Sequence, residues 1–507
     1  MFYILLAICF ALWIIYDQWK SRRILKLSRQ LTNKYKAFPI VGHAYLLIGG
    51  DTERMSSLAA FGNEATLNGG TTGLWIGRDF NIVVSDATVA EIILKTCLEK
   101  SKMMDVLRHV TGNGTIFAPL SFWRPRRKII APSFSPRNLR QFVQVFAKQS
   151  NCLIERLKPV VGSGTISISK YITTFTMESV CETVLGVDMQ EDQKMFMNAL
   201  EELCCLSIMR ICNPLLQIEA IYKLTSTYNT YYKQKHTIWD IVDRIIKSKQ
   251  KYAKMNDMSQ RNSMVGATKE YPKTFLEILM DSSNETSGLT DLELREEVLV
   301  LAVAGTDTSA VGASFVLCML SRHPDIQDKV YKELFEIFGD SDRPVLADDL
   351  PKLKYLEAVI KETLRLYPPV PHIVRKVEKD LTLPSGVTLV KKTGVVVSIW
   401  AMHRNPKYWG PDAEKFQPNR FLNGRTYHPY AFMPFSNGPR NCLGYQYAMM
   451  SMKTVLATLL RNYKFLPKAM SCEADLQTPF TVKCDIMLRD SDGFQLQLET
   501  RNKESHM

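Results

Sequence analysis

The chain has 507 residues, of which 46% are hydrophobic and 23% charged, so it can bury a large core and is not an intrinsically disordered protein. Its eleven cysteines are scattered and odd in number, which excludes a disulfide-framed secreted scaffold and favours a reducing compartment. The net charge of +13 is spread along the chain without a groove-reading or base-stacking motif, which argues against nucleic acid and favours anionic lipid and an acidic partner.

The N-terminus has the pattern of a membrane anchor. The run MFYILLAICFALWIIY carries no charged side chain, and basic residues follow from Lys20 to Lys36. Basic residues after an apolar run hold that end in the cytosol, and they lie on the wrong side for a cleaved signal peptide. The sequence therefore predicts a single anchor with an outer N-terminus. Because the run is shorter than the usual ~20 residues, a tilted or interfacial helix and a buried core helix stay open as alternatives.

Helical periodicity dominates the rest of the chain, except for a polar segment from Lys247 to Gly288 that is predicted to be a loop. A long helix is predicted after it, because Thr290 and Glu293 form a capping-box pattern. This helix is expected to end near Arg322, since His323-Pro324 stops it and opens another helix.

The centre of this long helix contains AGTDTSA, residues 304–310. Gly, Thr and Ser are poor helix formers, and their hydroxyls can bond back to the preceding turn. One interpretation is a packing kink. The other is a local opening that presents the hydroxyl of Thr308 and the carboxylate of Asp307 to a buried reaction centre.

Two further stretches carry paired charges. In ETLRLYPPVP, Glu362 and Arg365 lie on one helical face, and Pro368-Pro369 end the helix. Arg420 in FQPNRF could share Glu362 and so fix this helix to the segment that precedes the next motif. An ion pair of this kind is commonplace, so it proves nothing by itself.

The most distinctive stretch is FSNGPRNCLG, residues 435–444. A tight turn at Gly438-Pro439 is followed by a predicted helix from Leu443, which places Cys442 at a helix N-terminus, where the dipole favours a thiolate. Such a thiolate is a nucleophile or a metal ligand. No companion histidine pattern supports nucleophilic use, and a single axial thiolate on heme iron fits better.

These motifs together resemble the cytochrome P450 heme-thiolate monooxygenases. The heme signature Phe-x-x-Gly-x-Arg-x-Cys-x-Gly is present in full, as are the AGxDT and ExxR motifs in the family's order, and Trp123 and Arg127 match its WxxxR motif. The resemblance implies that Cys442 ligates the iron of a non-covalent heme b, and that Asp307 and Thr308 deliver protons. It implies further roles for the following residues: Trp123, Arg127, Arg375 and Arg440 as donors to the heme propionates; Phe435, Gly438 and Gly444 in the heme loop; Glu362, Arg365 and Arg420 as a structural network.

The resemblance also implies the architecture: a mainly α fold of many helices around a buried heme, with a small β-rich subdomain. We expect an anchor at 1–19, a basic linker and hinge at 20–45, the catalytic domain at 46–500 and a tail at 501–507. The expected function is insertion of one oxygen atom from O2 into a lipophilic substrate at the cytosolic face of the endoplasmic reticulum. Electrons would come from NADPH through NADPH-cytochrome P450 reductase, with cytochrome b5 as a further donor. Membrane lipid is an expected partner and nucleic acid is not.

Within the family, the motifs are most similar to the microsomal clan of vertebrate fatty-acid omega-hydroxylases and many insect enzymes. Members of that clan often carry Glu where this chain has Ala304, and that Glu can esterify heme. A covalent heme link is therefore not expected here. Two alternatives to a monooxygenase are a heme-thiolate isomerase or dehydratase that needs no reductase, and a non-catalytic binder of heme or a lipophile; the intact Asp307-Thr308 pair argues against both.

Substrate contacts are expected from apolar segments that the family varies. These are Ser101 to Ser121, Leu200 to Leu215, the long helix near Ala302, Val370 to Val374, and the chain near Met487. The basic residues Arg124, Arg126 and Lys128 are expected to point outward and to receive an acidic electron donor.

Overall fold

The structure is a computed structural model that describes residues 3, 21–187, 192–262, 273–283, 288–422, 424, 427–468 and 478–501. The apolar N-terminal run lies outside the described residues, and residues 21–30 are helical. The α-helices that follow in the first half are α1 (Asp51–Leu67), α2 (Ala87–Thr96), α3 (Asp105–Thr111), α4 (Leu120–Ile130), α5 (Pro136–Leu157), α6 (Ile168–Val180), α7 (Asp192–Cys212), α8 (Glu219–Tyr222), α9 (Ser226–Asn262) and α10 (Phe275–Ser283).

The second half contains the longest buried helix. Its helices are α11 (Asp291–Arg322), α12 (Pro324–Phe338), α13 (Lys354–Leu366), α14 (Ile399–Met402), α15 (Pro406–Trp409) and α16 (Tyr445–Asn462). Single turns at Ala44–Leu46, Lys102–Met104, Ala131–Phe134, Lys158–Val160 and Pro418–Phe421 are 3-10, and Cys181–Leu185 is a π turn.

The strands form small sheets beside the helices. They are β1 (Thr71–Ile76), β2 (Asp79–Val84), β3 (Ile166–Ser167), β4 (His372–Lys376), β5 (Leu381–Thr382), β6 (Thr388–Leu389), β7 (Gly394–Ser398), β8 (Tyr463–Pro467), β9 (Val482–Cys484), β10 (Leu488–Asp490) and β11 (Gln495–Thr500). The largest sheet has the order β1-β2-β7-β4, and a second has the order β3-β11-β8. The predicted mainly α fold with a small β subdomain is confirmed.

Helix α11 forms where the capping box predicts it. The hydroxyl oxygen of Thr290 accepts a bond from the backbone N–H of Glu293, and the Glu293 carboxylate accepts one from the N–H of Thr290 at 2.9 Å. The helix runs for 32 residues, about 48 Å, and ends at Arg322 before Pro324 opens α12. Helix α11 is apolar and long enough to cross a membrane, but it is the mostly buried core helix of the domain.

The predicted loop from Lys247 to Gly288 is partly wrong. Helix α9 continues to Asn262, and Phe275–Ser283 is helical, while residues 263–272 and 284–287 lie outside the described part of the chain. Lys and Gln, which made this segment look like a loop, are good helix formers, so a polar composition alone does not end a helix.

The main core lies where α5, α6, α11 and α16 pack together. A second core joins the largest sheet to α2, and it includes Leu27 and Leu31 from the N-terminal segment. The two cores bring the loop of residues 435–444 and the middle of α11 into the interior of one domain.

Candidate active site

The loop before α16 is fixed by its backbone. The N–H of Cys442 donates to the carbonyl of Phe435 at 2.9 Å, which closes the loop on itself. Gly438 has φ +75°, and a Cβ there would lie 2.7 Å from the carbonyl oxygen of Leu94. A larger residue at this position would therefore be both strained and crowded. Gly444 is the N-cap of α16, so Cys442 lies two residues before the cap.

We infer that the Cys442 thiol borders an internal space. Cys442 keeps accessible surface, yet burial raises the pKa of its thiol. The backbone N–H of Gly444 and the charge of Arg127 act in the opposite direction. The predicted effect of the helix end is thus outweighed by burial: this thiol resists ionisation by itself, and a bound metal cation would ionise it.

The middle of α11 is less buried than the helix on either side of it. From Glu296 to Ser321 every residue is buried, except at five positions clustered in the centre of the helix: Leu301, Val303, Ala304, Gly305 and Thr308. Leu301, Ala304 and Thr308 recur at three- and four-residue spacing and share one face. Because α16 packs against α11 and begins just after Cys442, we infer that this face and the thiol line the same chamber.

Helix α11 is not opened at AGTDTSA, and it remains helical throughout. The hydroxyl of Thr308 donates to the carbonyl of Ala304 at 2.7 Å, and Thr306 donates to the carbonyl of Ala302 at 2.9 Å. A Cβ on Gly305 would lie 3.0 Å from Val180 on α6, so glycine allows the two helices to approach closely. The interpretation as a local opening is therefore not supported in this state.

Asp307 points to a partner that the sequence did not suggest. Both oxygens of its carboxylate accept from one guanidinium nitrogen of Arg489, at 2.8 and 2.7 Å. Burial raises the pKa of Asp307, and the charge of Arg489 acts against that rise. Asp307 and Arg489 are separated by 182 residues in sequence, and no local pattern links them.

Buried arginines without anionic partners lie near the loop. Arg375 is 1% exposed, and its Nε has no hydrogen-bond partner within the described residues. Arg440 donates to the carbonyls of Leu98 and Ala118 at 2.8 and 2.7 Å, and its guanidinium lies 5.0 Å from the ring of Trp123. Burial lowers the pKa of each arginine to about 10. Neither of the two forms an ion pair in the described part of the chain.

Lys100 adds a third cation to this region, which the sequence reasoning missed. Burial, together with the charges of Arg375 and Arg440, holds its pKa well below the ordinary value. Arg375 and Arg440 are buried and Lys100 is half-buried. Because cations are costly to bury without a carboxylate partner, the region is suited to a bound anion. The one signal for Lys100 in the sequence is its position next to Ser101, where a predicted substrate segment begins.

The four basic residues of WRPRRK lie in different environments in the structure. Arg127 donates to the backbone carbonyl and the side-chain oxygen of Asn441 at 2.8 and 2.6 Å, and so holds the loop next to Cys442. Arg124 and Lys128 are exposed, as predicted.

The prediction for Arg126 is wrong. Its side chain is 4% exposed and pairs with Glu296 at 2.8 Å and Glu297 at 3.4 Å, both on α11. Side chains of a helix two residues apart point in nearly opposite directions, which places Arg126 inside while Arg124 and Lys128 share the outer face.

Glu362, Arg365 and Arg420 form one buried network. Arg365 donates to both carboxylate oxygens of Glu362 at 2.7 and 2.8 Å, and to the carbonyls of His403 and Ala413. Arg420 lies 3.4 Å from the Glu362 carboxylate and donates to the carbonyls of Trp409 and Asp412. The network joins α13 to the irregular segment that leads toward residue 435.

Several of the expected substrate segments contact one another, and we infer that they lie on the side of the chamber opposite Cys442, its distal side. Val106 and Leu107 pack with Ile211 of α7 and with Ile486 next to Met487. The N–H of Leu488 donates to the carbonyl of Pro369 at 2.8 Å, next to Val370. Three of the five predicted segments thus meet through apolar contacts, and the bond to Pro369 brings the start of a fourth, Val370 to Val374, next to them.

These residues fit a heme. The group needs an iron ligand, a flat space and cationic partners for two carboxylates, and the chain offers the accessible Cys442 thiol, the small Ala304 on the facing helix and the unpaired cations Arg375, Arg440 and Lys100. The orphaned Nε of Arg375 is the clearest sign that an anion belongs there.

Comparison with known proteins agrees with this reading. A family model described as cytochrome P450 matches residues 34–490. The chain is 31% identical to "Cytochrome P450 4V2" of Homo sapiens over 485 residues, which cover 94% of this chain and 91% of that protein. It is 34% identical to "Cytochrome P450 4c21" of Blattella germanica (77% and 79% covered) and 32% identical to "Cytochrome P450 4d8" of Drosophila melanogaster (92% and 97% covered).

Proposed function

The chain belongs to the cytochrome P450 family and is a heme-thiolate monooxygenase, and from that premise we propose that it oxidises a lipophilic substrate with electrons that a reductase passes on from NADPH. The observation that carries the proposal is that Cys442 and one face of α11 keep accessible surface inside the fold, near buried cations without ion-pair partners in the described part of the chain.

Cys442 would ligate the heme iron, and Arg375, Arg440, Trp123 and Lys100 would hold the propionates, with Arg127 binding either a propionate or the loop at Asn441. Phe435, Gly438 and Gly444 keep the loop compact, so that the thiol stays at the chamber wall. When bound, the heme supplies the redox chemistry that activates O2 after reduction. The guanidinium groups suit carboxylates, because bonds between two ionised groups are the strongest hydrogen bonds in proteins.

Thr308 and Asp307 would move protons into the chamber. The Thr308 hydroxyl bonds to its own helix in this state, and a rotation about χ1 would turn it toward the chamber without breaking α11. Thr308 lies on the chamber face, whereas Asp307 lies on the side held by Arg489. Thr308 and Asp307 thus lie on two sides of α11, with Thr308 toward the chamber and Asp307 toward Arg489.

Glu362, Arg365 and Arg420 act as a structural network in this proposal. Glu362 and Arg365 are fully buried, and the bonds of Arg365 to backbone carbonyls fix the segment that precedes the Cys442 loop. Their role is to hold the loop in place.

The electron donor would dock on the outer face of α4. Arg124 and Lys128 are exposed and form no ion pair within the described residues, and Arg127 of the same helix contacts the Cys442 loop. An acidic flavoprotein such as NADPH-cytochrome P450 reductase fits this face, with cytochrome b5 as a further donor.

We place the enzyme at the endoplasmic reticulum membrane, with its catalytic domain in the cytosol. Support comes from exposed apolar side chains in two neighbouring segments, where Ile40 is 79% exposed and Leu215 is 59% exposed. Gly77 lies between the segments, because its N–H donates to the carbonyl of Val41 and a Cβ at this glycine would lie 2.9 Å from Pro214. Exposed apolar surface of this kind suits a lipid boundary. The anchor at 1–19 and the division at 20–45, 46–500 and 501–507 remain predictions.

The test is a screen with reconstituted reductase and detergent-purified enzyme. Lipids, terpenoids and xenobiotics are offered in turn, and oxygenated products are identified by mass spectrometry with 18O2. Incorporation of one labelled atom that requires both reductase and NADPH is the expected result. Turnover of a peroxide without reductase, and no labelled product with it, would favour the isomerase alternative.

A further inference from the structure

The carboxylate of Asp307 is held from outside its own helix. A single guanidinium nitrogen of Arg489, on β10, bridges the two carboxylate oxygens of Asp307 in the middle of α11. Asp307 is 4% exposed, so the carboxylate has little contact with solvent. With both oxygens occupied by Arg489, the acid is turned away from any partner on the chamber side of α11.

Arg489 is shared with a second acid. Its Nε lies 3.5 Å from the carboxylate of Asp485 without a hydrogen bond, and Nε and Asp485 Oδ1 are both buried without partners in the described structure. Glu201 and Cys204 of α7 also face this cluster electrostatically. The cluster therefore contains the carboxylates of Asp307, Asp485 and Glu201, and Arg489 is its cation. The position of this guanidinium determines which carboxylate it neutralises.

The hairpin that carries Arg489 reaches the substrate side of the chamber. Strands β9 and β10 pair antiparallel, and the turn between them includes Ile486 with φ +94°. A positive φ is strained for a β-branched residue, and such strain often occurs at sites that change conformation. Ile486 packs against Val106, Leu107 and Ile211, which belong to the distal segments.

We propose that Arg489 is a positioning residue for proton supply: it determines where the Asp307 carboxylate points, and the hairpin links that position to the occupant of the distal chamber. This inference rests on the proposed function. In the coupled reaction, substrate, O2, NADPH and one proton give hydroxylated substrate, water and NADP+. When proton supply fails, O2, NADPH and one proton give hydrogen peroxide and NADP+, and the substrate is unchanged.

The first test reads Asp307 directly, without turnover. The neutral form of the Asp307 side chain gives an infrared band of a carboxylic acid, and the band is assigned by its loss in Asp307→Asn. Its intensity is then followed as a function of pH in the heme-loaded protein. Loss of an opposite charge raises the pKa of an acid by about 1 to 3 units. We expect the midpoint of this band to move upward by that amount in Arg489→Met. Arg489→Lys keeps the charge and should bring the midpoint back toward wild type.

The second test measures product and hydrogen peroxide per NADPH, with 7-ethoxycoumarin as the lipophilic probe or with the first substrate from the screen. We expect Arg489→Met to lower the product yield about tenfold, a part of the ~10² to 10⁴ that a positioned general acid contributes. Arg489→Lys should recover most of that loss. The matched control is Arg322→Met, because Arg322 also contacts the C-terminal region, at Thr478 and Phe480, but ends α11 far from Asp307.

An unchanged infrared midpoint in Arg489→Met, or a yield in Arg489→Lys no better than in Arg489→Met, overturns the proposal. If Arg489→Met does not bind heme, Arg489→Gln takes its place under the same criteria, because its amide fills similar space without a charge. Wild-type enzyme that consumes no NADPH with reductase contradicts the proposed function instead, and the infrared titration still decides the role of Arg489.

Discussion

Arg126 of α4 and Glu296 of α11 form a buried ion pair, with 2.8 Å between the guanidinium and the carboxylate. Glu297 lies 3.4 Å from the same guanidinium, and Arg126 also donates to the carbonyl of Asn113. The pair ties α4, the proposed docking helix, to α11. Arg126 is therefore a structural residue, whereas Arg124 and Lys128 on the same helix are exposed.

Arg126→Met should destabilise the protein. Removing one partner of a buried ion pair leaves an uncompensated charge and costs about 3 to 5 kcal/mol in the free energy of unfolding. Urea denaturation followed by tryptophan fluorescence measures the loss, and the exposed variant Arg124→Met is the control, with an expected change within about 0.5 kcal/mol. Equal stability of the two variants would show that Arg126 is not buried against Glu296.

Reversing the exposed charges Arg124→Glu and Lys128→Glu together should slow reduction by reductase without shifting the heme spectrum. Attraction between a basic face and an acidic donor speeds encounter and is screened by salt, so the difference from wild type should shrink as ionic strength rises. Stopped-flow reduction under carbon monoxide measures the rate. Lys233→Glu and Lys247→Glu together, at two exposed positions of α9, are the control for net charge. A rate at low salt equal to this control would exclude α4 as the docking face.

Thr308→Ala should leave heme binding intact and uncouple the reaction. General acid delivery by a positioned group contributes about 10² to 10⁴ in rate, and without the hydroxyl NADPH is still consumed while hydrogen peroxide replaces product. Product and peroxide per NADPH are assayed in parallel. Thr306→Ala removes a hydroxyl from the buried opposite face of α11 and should keep the coupling of wild type. Wild-type coupling in Thr308→Ala would refute the role given to Thr308.

Acid extraction should release all the heme. The position where related enzymes carry a Glu that esterifies heme is Ala304, whose methyl group cannot form an ester. Denaturing chromatography with detection of heme and protein absorbance measures the release. Ala304→Glu serves as the positive comparison, since it restores a carboxyl group on the chamber face. Heme that stays with the denatured wild-type chain would contradict this prediction.

Local patterns in the sequence predicted most of the fold and the family, both of which are confirmed. Thr290, Glu293 and Pro324 set the bounds of α11 because caps and prolines act within one helical turn. The Phe435 to Gly444 motif identified the cysteine loop for the same reason: its turn and its cysteine are adjacent in sequence.

Contacts between distant segments could not be predicted in this way. Arg489 meets Asp307 across 182 residues, and Lys100 approaches Arg375 because the N–H of Lys376 on β4 donates to the carbonyl of Glu99. Arg126 was misplaced because the basic run was read as one surface, although a helix turns successive residues by about 100°. Burial also reversed the expected effect of the helix end on the Cys442 thiol, and burial is a property of the whole fold.

The central claim is that Cys442 ligates heme iron through its thiolate. The direct measurement is the absorption spectrum of the dithionite-reduced protein with carbon monoxide. We expect the Soret band characteristic of thiolate-ligated heme in wild type and its loss in Cys442→Ala, whereas Cys205→Ala, at an exposed cysteine of α7, should keep it. A wild-type band at the position typical of histidine ligation, or a thiolate band that survives in Cys442→Ala, would contradict the assignment.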